Sequence, residues 1–159
     1  MNSRALSRAY VPLTLAGLRA LRDTGELPAG PAYAVTPALR DAYADTQGGD
    51  EEDLEYVAMM MAARASMTLL RAADPADRRR IVVAVDAPVA PDDGQPALVR
   101  LDASVHVDTD DVRPAVDAAV RALPAAMDGD AAAVALVDGL DSEDLAWFAV
   151  QEIADVLDS

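Results

Sequence analysis

The segment Ile81-Val82-Val83-Ala84-Val85 constrains this chain more than any other. Five consecutive apolar residues, four of them β-branched, offer water no polar face. Such a strand is stable when buried on both sides, so the sheet that holds it is expected to be covered by helices. Around it, short apolar runs alternate with segments of helical periodicity in the order β-α-β-α-α-β-β-α-β-α. The pattern predicts an α/β fold: a single domain with a mixed sheet of about five strands, joined by right-handed crossovers. At 159 residues the chain can bury such a core without covalent staples.

Residues 1–7 read as a flexible leader and 8–159 as the domain. Ala9–Leu13 is extended, with Pro12 near a strand end or an edge. Thr14 is placed to cap a helix carrying Leu15, Leu18 and Leu21 that stops at Thr24-Gly25. Ala32–Val35 is the second strand, and Thr36-Pro37 opens a short helix with Leu39, Arg40 and Tyr43. The longest helix is expected from Asp50 to about Ala73, acidic in its first turn and with Arg71 in its last. Its apolar rows, Leu54-Val57-Met61-Ala65-Leu69 and Tyr56-Met60-Ala63-Met67-Leu70, imply a helix sandwiched in the domain or shared with a partner. Residues 87–96 read as an exposed loop. Leu98 to Val107 alternates, with Ser104 and His106 on the more polar face. Asp110-Asp111 opens a helix with Val112, Val116, Ala119, Val120 and Leu123. Ala133–Val137 reads as a strand. Asp141 then caps a final helix with Leu145, Phe148, Ala149, Ile153 and Val156 on its inner row.

The side-chain inventory narrows the chemistry. There is no cysteine, no lysine and one histidine, His106, while 28 carboxylates face 13 arginines for a formal charge of −15. These absences remove thiol nucleophiles, disulfides, cysteine-built metal sites, lysine Schiff bases and the lysine-bearing phosphate loop. No G-x-S-x-G elbow occurs. Such acidity opposes nucleic-acid and anionic membrane surfaces, and a GC-rich coding bias is enough to account for it. A basic protein partner fits better, including one that ordinarily binds nucleic acid. No uncharged run approaches a membrane span and no secretory signal is visible, so the cytoplasm is expected.

Parallel strands would bring Thr14, Thr36 and Arg40 to the C-terminal edge of the sheet, joined by His106 and Asp108, as a small anion site. The spacing His106-Val107-Asp108 also suits a hard cation, but Asp110 or Asp111 is needed as a helix cap, so no metal is assigned. Asp86 ends a strand in the manner of a magnesium ligand, yet the phosphate loop it would need is missing. Arg78-Arg79-Arg80 reads as a solvated strand entrance neutralised by nearby aspartates. Met60 and Met67, with Trp147 and Gln151, mark the expected interaction surface. The reading is a non-enzymatic interaction or regulatory domain without a cofactor, binding a protein partner or a second copy of itself. The alternative is a small anionic-ligand binder or enzyme at the sheet edge.

Several segments together carry a resemblance: Tyr10-Val11-Pro12-Leu13-Thr14, Ala34-Val35-Thr36-Pro37-Ala38-Leu39-Arg40, Leu54-Glu55-Tyr56, Arg79-Arg80-Ile81-Val82-Val83-Ala84, and Trp147-Phe148-Ala149-Val150-Gln151-Glu152-Ile153. From Arg8 onward the chain resembles an actinobacterial family of short acidic proteins of unknown function. That resemblance implies an actinobacterial source and the cytoplasm, and no reaction. It also implies a natural start close to the Tyr-Val-Pro segment.

Overall fold

The computed structural model describes residues 6–28, 30–47, 49–88 and 103–159. Five strands form one open sheet in the order β2-β1-β3-β4-β5. They are β1 (Leu6–Leu13), β2 (Tyr33–Ala34), β3 (Ile81–Pro88), β4 (Ser104–Val107) and β5 (Ala146–Ala149). The α/β class, a count of five strands and the helical cover are as expected, whereas the sheet is antiparallel throughout and not mixed. Nor do right-handed crossovers join adjacent strands, because every neighbouring pair is antiparallel. β2 and β3 do run in one direction, but β1 lies between them.

β1 begins at Leu6 and pairs with β3 as far as Pro88, so Leu6 and Ser7 lie in the sheet. Pro12 sits where β1 has a partner on one side only. It pairs with Val82, while β2 reaches no further than Ala9 and Tyr10. Residues 89–96 of the expected loop and 98–102 of the expected strand lie outside the described residues.

The two faces of the sheet are built differently. On one, Val11, Leu13, Ile81, Val83, Val105 and Val107 pack under Leu15, Leu18 and Leu21 of α1 (Leu15–Thr24) and under Ile153 and Val156 of α6 (Ile153–Asp158). On the other, Tyr10, Val82 and Ala84 meet Ala58, Ala62 and Ala63 of α3 (Glu51–Leu70). Its C-terminal turns place Met67 and Leu70 against Val116 and Val120 of α4 (Arg113–Met127) and Val137 of α5 (Ala131–Asp138). α2 (Pro37–Ala42) is short and buries no residue.

α3 buries Leu54, Ala58, Ala62, Ser66 and Leu70 in steps of four, with Ala63 and Met67 alongside. The expected rows gave weight to large side chains, yet Met61 and Leu69 are 46% and 41% exposed. Alanines form the true seam because a small Cβ lets the helix lie close on the sheet. Ser66 fixes that approach: its Oγ donates to the carbonyl of Leu13 at 2.9 Å and accepts from the Ile81 N–H at 3.3 Å. One buried hydroxyl thus joins α3 to both central strands.

Two assignments from the sequence are overturned. Ala133–Val137 lies in α5, capped by Asp130, whose carboxylate accepts from the Ala133 N–H at 2.8 Å. A short apolar run has no diagnostic period, and its alanines tip it to helix once a cap is present. The final helix is shorter than expected. Residues 146–149 form β5, Val150–Glu152 is a 3-10 turn, and α6 begins at Ile153. Asp141 lies in another 3-10 turn, Gly139–Ser142, and pairs with Arg64. In β5, Phe148 opposes Val105 and packs into the α1/α6 core, while Trp147 opposes His106 on the other face.

Candidate binding groove

α3 packs over β1, β2 and β3. Beyond its flank, the same face of β4 and β5 opens into a groove of about 300 Å³. Strand periodicity supplies the floor. Arg8 and Tyr10 are two residues apart on β1, as are Ser104 and His106 on β4, so each pair projects to one side. Ala84 lies between Tyr10 and Ser104 in the register, and Trp147 lies beside His106. Helical periodicity supplies the wall: Glu52, Glu55, Tyr56 and Met59 follow the i, i+3, i+4, i+7 spacing along one face of α3. The chain has six aromatic residues. Three of them, Tyr10, Tyr56 and Trp147, meet here together with the only histidine.

The charges around this cavity are unequal. Arg8 forms a cross-strand pair with Asp86 at 3.2 Å, which offsets its charge. Among the described residues, neither Glu52 nor Glu55 has an arginine within 4.0 Å. Burial, then the negative charge of Glu55, pushes the Tyr10 hydroxyl up to about 12. The Tyr56 hydroxyl donates to Asp144 at 2.9 Å, so its ring is held at the rim. Its pKa is raised, first by burial and then by that hydrogen bond. Burial first, and the positive charge of Arg8 second, lower the His106 pKa below its ordinary value. The imidazole is therefore neutral at physiological pH, one nitrogen a donor and the other an acceptor. Nε2 lies 3.1 Å from Ser104 Oγ, and the tautomer sets which of the two donates.

The residues expected to bind an anion do not come together. Thr14 caps α1, its Oγ1 accepting from the Gly17 N–H at 3.1 Å. Thr36 caps α2 in the same way through Leu39. Because β1 and β2 are antiparallel, their C-terminal ends lie at opposite ends of the sheet. Arg40 is taken by Glu51 in a two-pronged pair of 2.6 and 3.0 Å.

Asp108 is withdrawn altogether. Its carboxylate grips Arg80 through Nη2 at 2.8 Å and Nε at 3.1 Å, and accepts the Arg80 N–H at 2.7 Å. Nη1 and Nη2 also donate to the carbonyls of Leu140 and Glu143, and the two side chains are 1% and 0% exposed. Arg78 and Arg79 pair with Asp117 and Asp110. The expected solvated arginine run is thus a largely buried clasp, because each guanidinium finds an aspartate delivered by the segment following β4. His106 alone of the anion-site candidates faces the groove.

The expected interface divides as well. Met67 is 1% exposed and belongs to the core, and Met60 is half-buried. Trp147 and Gln151 are exposed. Tyr10, Tyr56, Glu52 and Glu55 were not singled out from sequence. The signal that would have found them is helical and strand spacing on polar and aromatic positions, which is weak without knowing that α3 stops short of β4.

Fold and site together define a small α/β protein with one sealed sheet face and an aromatic, carboxylate-bearing groove on the other. The chain belongs to the family of unknown function DUF6912, whose model matches residues 7–157. No curated protein matches the chain. No solved structure matches it.

Proposed function

We propose that this protein is a non-enzymatic recognition domain, and that the groove between α3 and β4–β5 is its binding site. The observation that carries this reading is the convergence there of the only histidine, the only tryptophan and two of the four tyrosines. In a chain so poor in aromatic residues, Tyr10 packs under α3, while Tyr56 and Trp147 stay 44% and 63% exposed. Aromatic rings left half-open around a few polar groups are the usual lining of a binding pocket. Inventory supports recognition over transformation, since thiol and lysine nucleophiles and cysteine-built metal sites are absent. Trp147, exposed on the edge strand β5, also leaves room for a protein partner or a second copy. A cytoplasmic location and an actinobacterial source belong to the same reading. Among the described residues, no helix is long and apolar enough to cross a membrane.

Trp147 is its own reporter. The protein is screened against small molecules of positive, negative and zero charge by Trp147 emission. At least one class should shift that emission saturably, with the response lost in His106→Ala. Silence from every class, in folded protein, overturns the proposal.

One contact favours a second reading. Ser104 Oγ and His106 Nε2 are 3.1 Å apart, the separation of a nucleophile and its base. Turnover of an activated ester that disappears in Ser104→Ala would favour hydrolysis over recognition.

A further inference from the structure

We infer that the groove takes an organic cation: an ammonium or guanidinium head on a short apolar stem. This rests on reading the groove as a binding site, and adds the chemistry of its ligand. The exposed rings of Tyr56 and Trp147 border one cavity, with Tyr10 buried in its floor, and the faces of such rings carry negative potential that attracts organic cations. Glu52 and Glu55 add two full negative charges from the α3 wall, on residues one helical turn apart. Among the described residues, Arg8 is the one cation lining the site, and Asp86 balances it. The acceptors available to the head are the two carboxylates and whichever of Ser104 Oγ and the unprotonated imidazole nitrogen their mutual hydrogen bond leaves free. Met59 and Ala84 offer apolar contact to a stem. Among the described residues, an anion would meet Glu52 and Glu55 and an arginine already paired with Asp86. About 300 Å³ holds a head and a few methylenes, at the lower end of small-molecule sites.

The same chemistry can come from a free amine or from a lysine or arginine side chain of a partner protein, and the two are separable. The full chain is titrated by calorimetry and by Trp147 emission with n-butylammonium, n-butylguanidinium, tetramethylammonium, n-butyrate, n-butanol and the peptide Gly-Lys-Gly. The cations should bind and compete with one another, with n-butyrate and n-butanol at least 10-fold weaker. Glu52→Gln/Glu55→Gln should weaken the cations at least 10-fold while the protein stays folded, with only the small midpoint shift expected from removing a first-turn carboxylate. Gly-Lys-Gly tighter than n-butylammonium assigns the cation to a partner's side chain; the reverse order assigns it to a free ligand. Equal or tighter binding of n-butyrate overturns the cation inference while keeping the groove as a site. Cation binding indifferent to Glu52→Gln/Glu55→Gln does the same. No binding by any probe overturns the inference, and the broader screen above then decides whether the groove is a site at all.

Discussion

Asp108 and His106 stand two residues apart at the end of one strand, and by strand alternation they point to the same side of the sheet. Their fates are opposite. Asp108 is fully buried, with both oxygens and its N–H engaged by Arg80. His106 borders an open cavity, with Ser104 as its one side-chain hydrogen-bond partner among the described residues and its charge suppressed by burial. A polar group whose every valence is answered inside the chain is holding the fold together. A polar group left partly unanswered beside exposed rings is available to something outside.

The largest effect should come from the sealed end. Asp108→Ala leaves the Arg80 guanidinium buried without its counter-charge, a change that costs about 3–5 kcal/mol in comparable pairs. Urea unfolding should show that loss, whereas a loss below 1 kcal/mol would mean that water reaches Arg80 and that the contrast with His106 is one of degree. Ser66→Ala comes next. It deletes the hydroxyl shared by Leu13 and Ile81 and should cost about 1–3 kcal/mol in the same assay, since one buried carbonyl and one N–H lose their partner.

The groove has a pH signature of its own. Tyr10 ionises near 10.0 in the unfolded chain and at about 12 in the folded one, so folding favours its neutral form. Its stabilising contribution is whole below pH 10 and is lost as pH rises towards 12. Stability measured across that window should fall less steeply in Tyr10→Phe than in the parent. His106 works the other way. Its folded pKa lies below the unfolded value of 6.5, so its contribution is present above pH 6.5 and is lost as pH falls through the folded value. The smallest expected change in stability is that of Trp147→Ala, because the ring is 63% exposed; a shift within about 0.5 kcal/mol is expected. A much larger loss would move Trp147 from the site to the core and weaken the comparison.

The sequence disclosed the elements with strong local signals. Thr14 and Thr36 cap the helices they were expected to cap, Gly25 ends α1 with a positive φ of 71°, and Ile81–Val85 is buried on both faces. It misled where local signals were neutral. Ala133–Val137 has no period, and the decision for helix lies with Asp130. In Leu145–Ile153 the spacing of apolar residues satisfies a helix on paper, but pairing with β4 draws Ala146–Ala149 into the sheet. Tertiary pairing is a long-range gain that local periodicity does not register. The anion site failed for a related reason, since antiparallel order is not written in any one segment and it sends Thr14 and Thr36 to opposite ends. Half of the groove was legible, with Ser104 and His106 assigned to the polar side of their strand. Its α3 wall was hidden, because seeing it requires knowing where the helix ends relative to the sheet.

The claim that His106 and Trp147 serve one ligand can be tested without resonance assignment, since the chain has one imidazole and one indole. Proton NMR would follow the His106 ring and the Trp147 indole N–H during titration with n-butylammonium. The account predicts that both signals move and reach half-saturation at the same concentration. Movement of one without the other, or two different midpoints, would contradict a single shared groove.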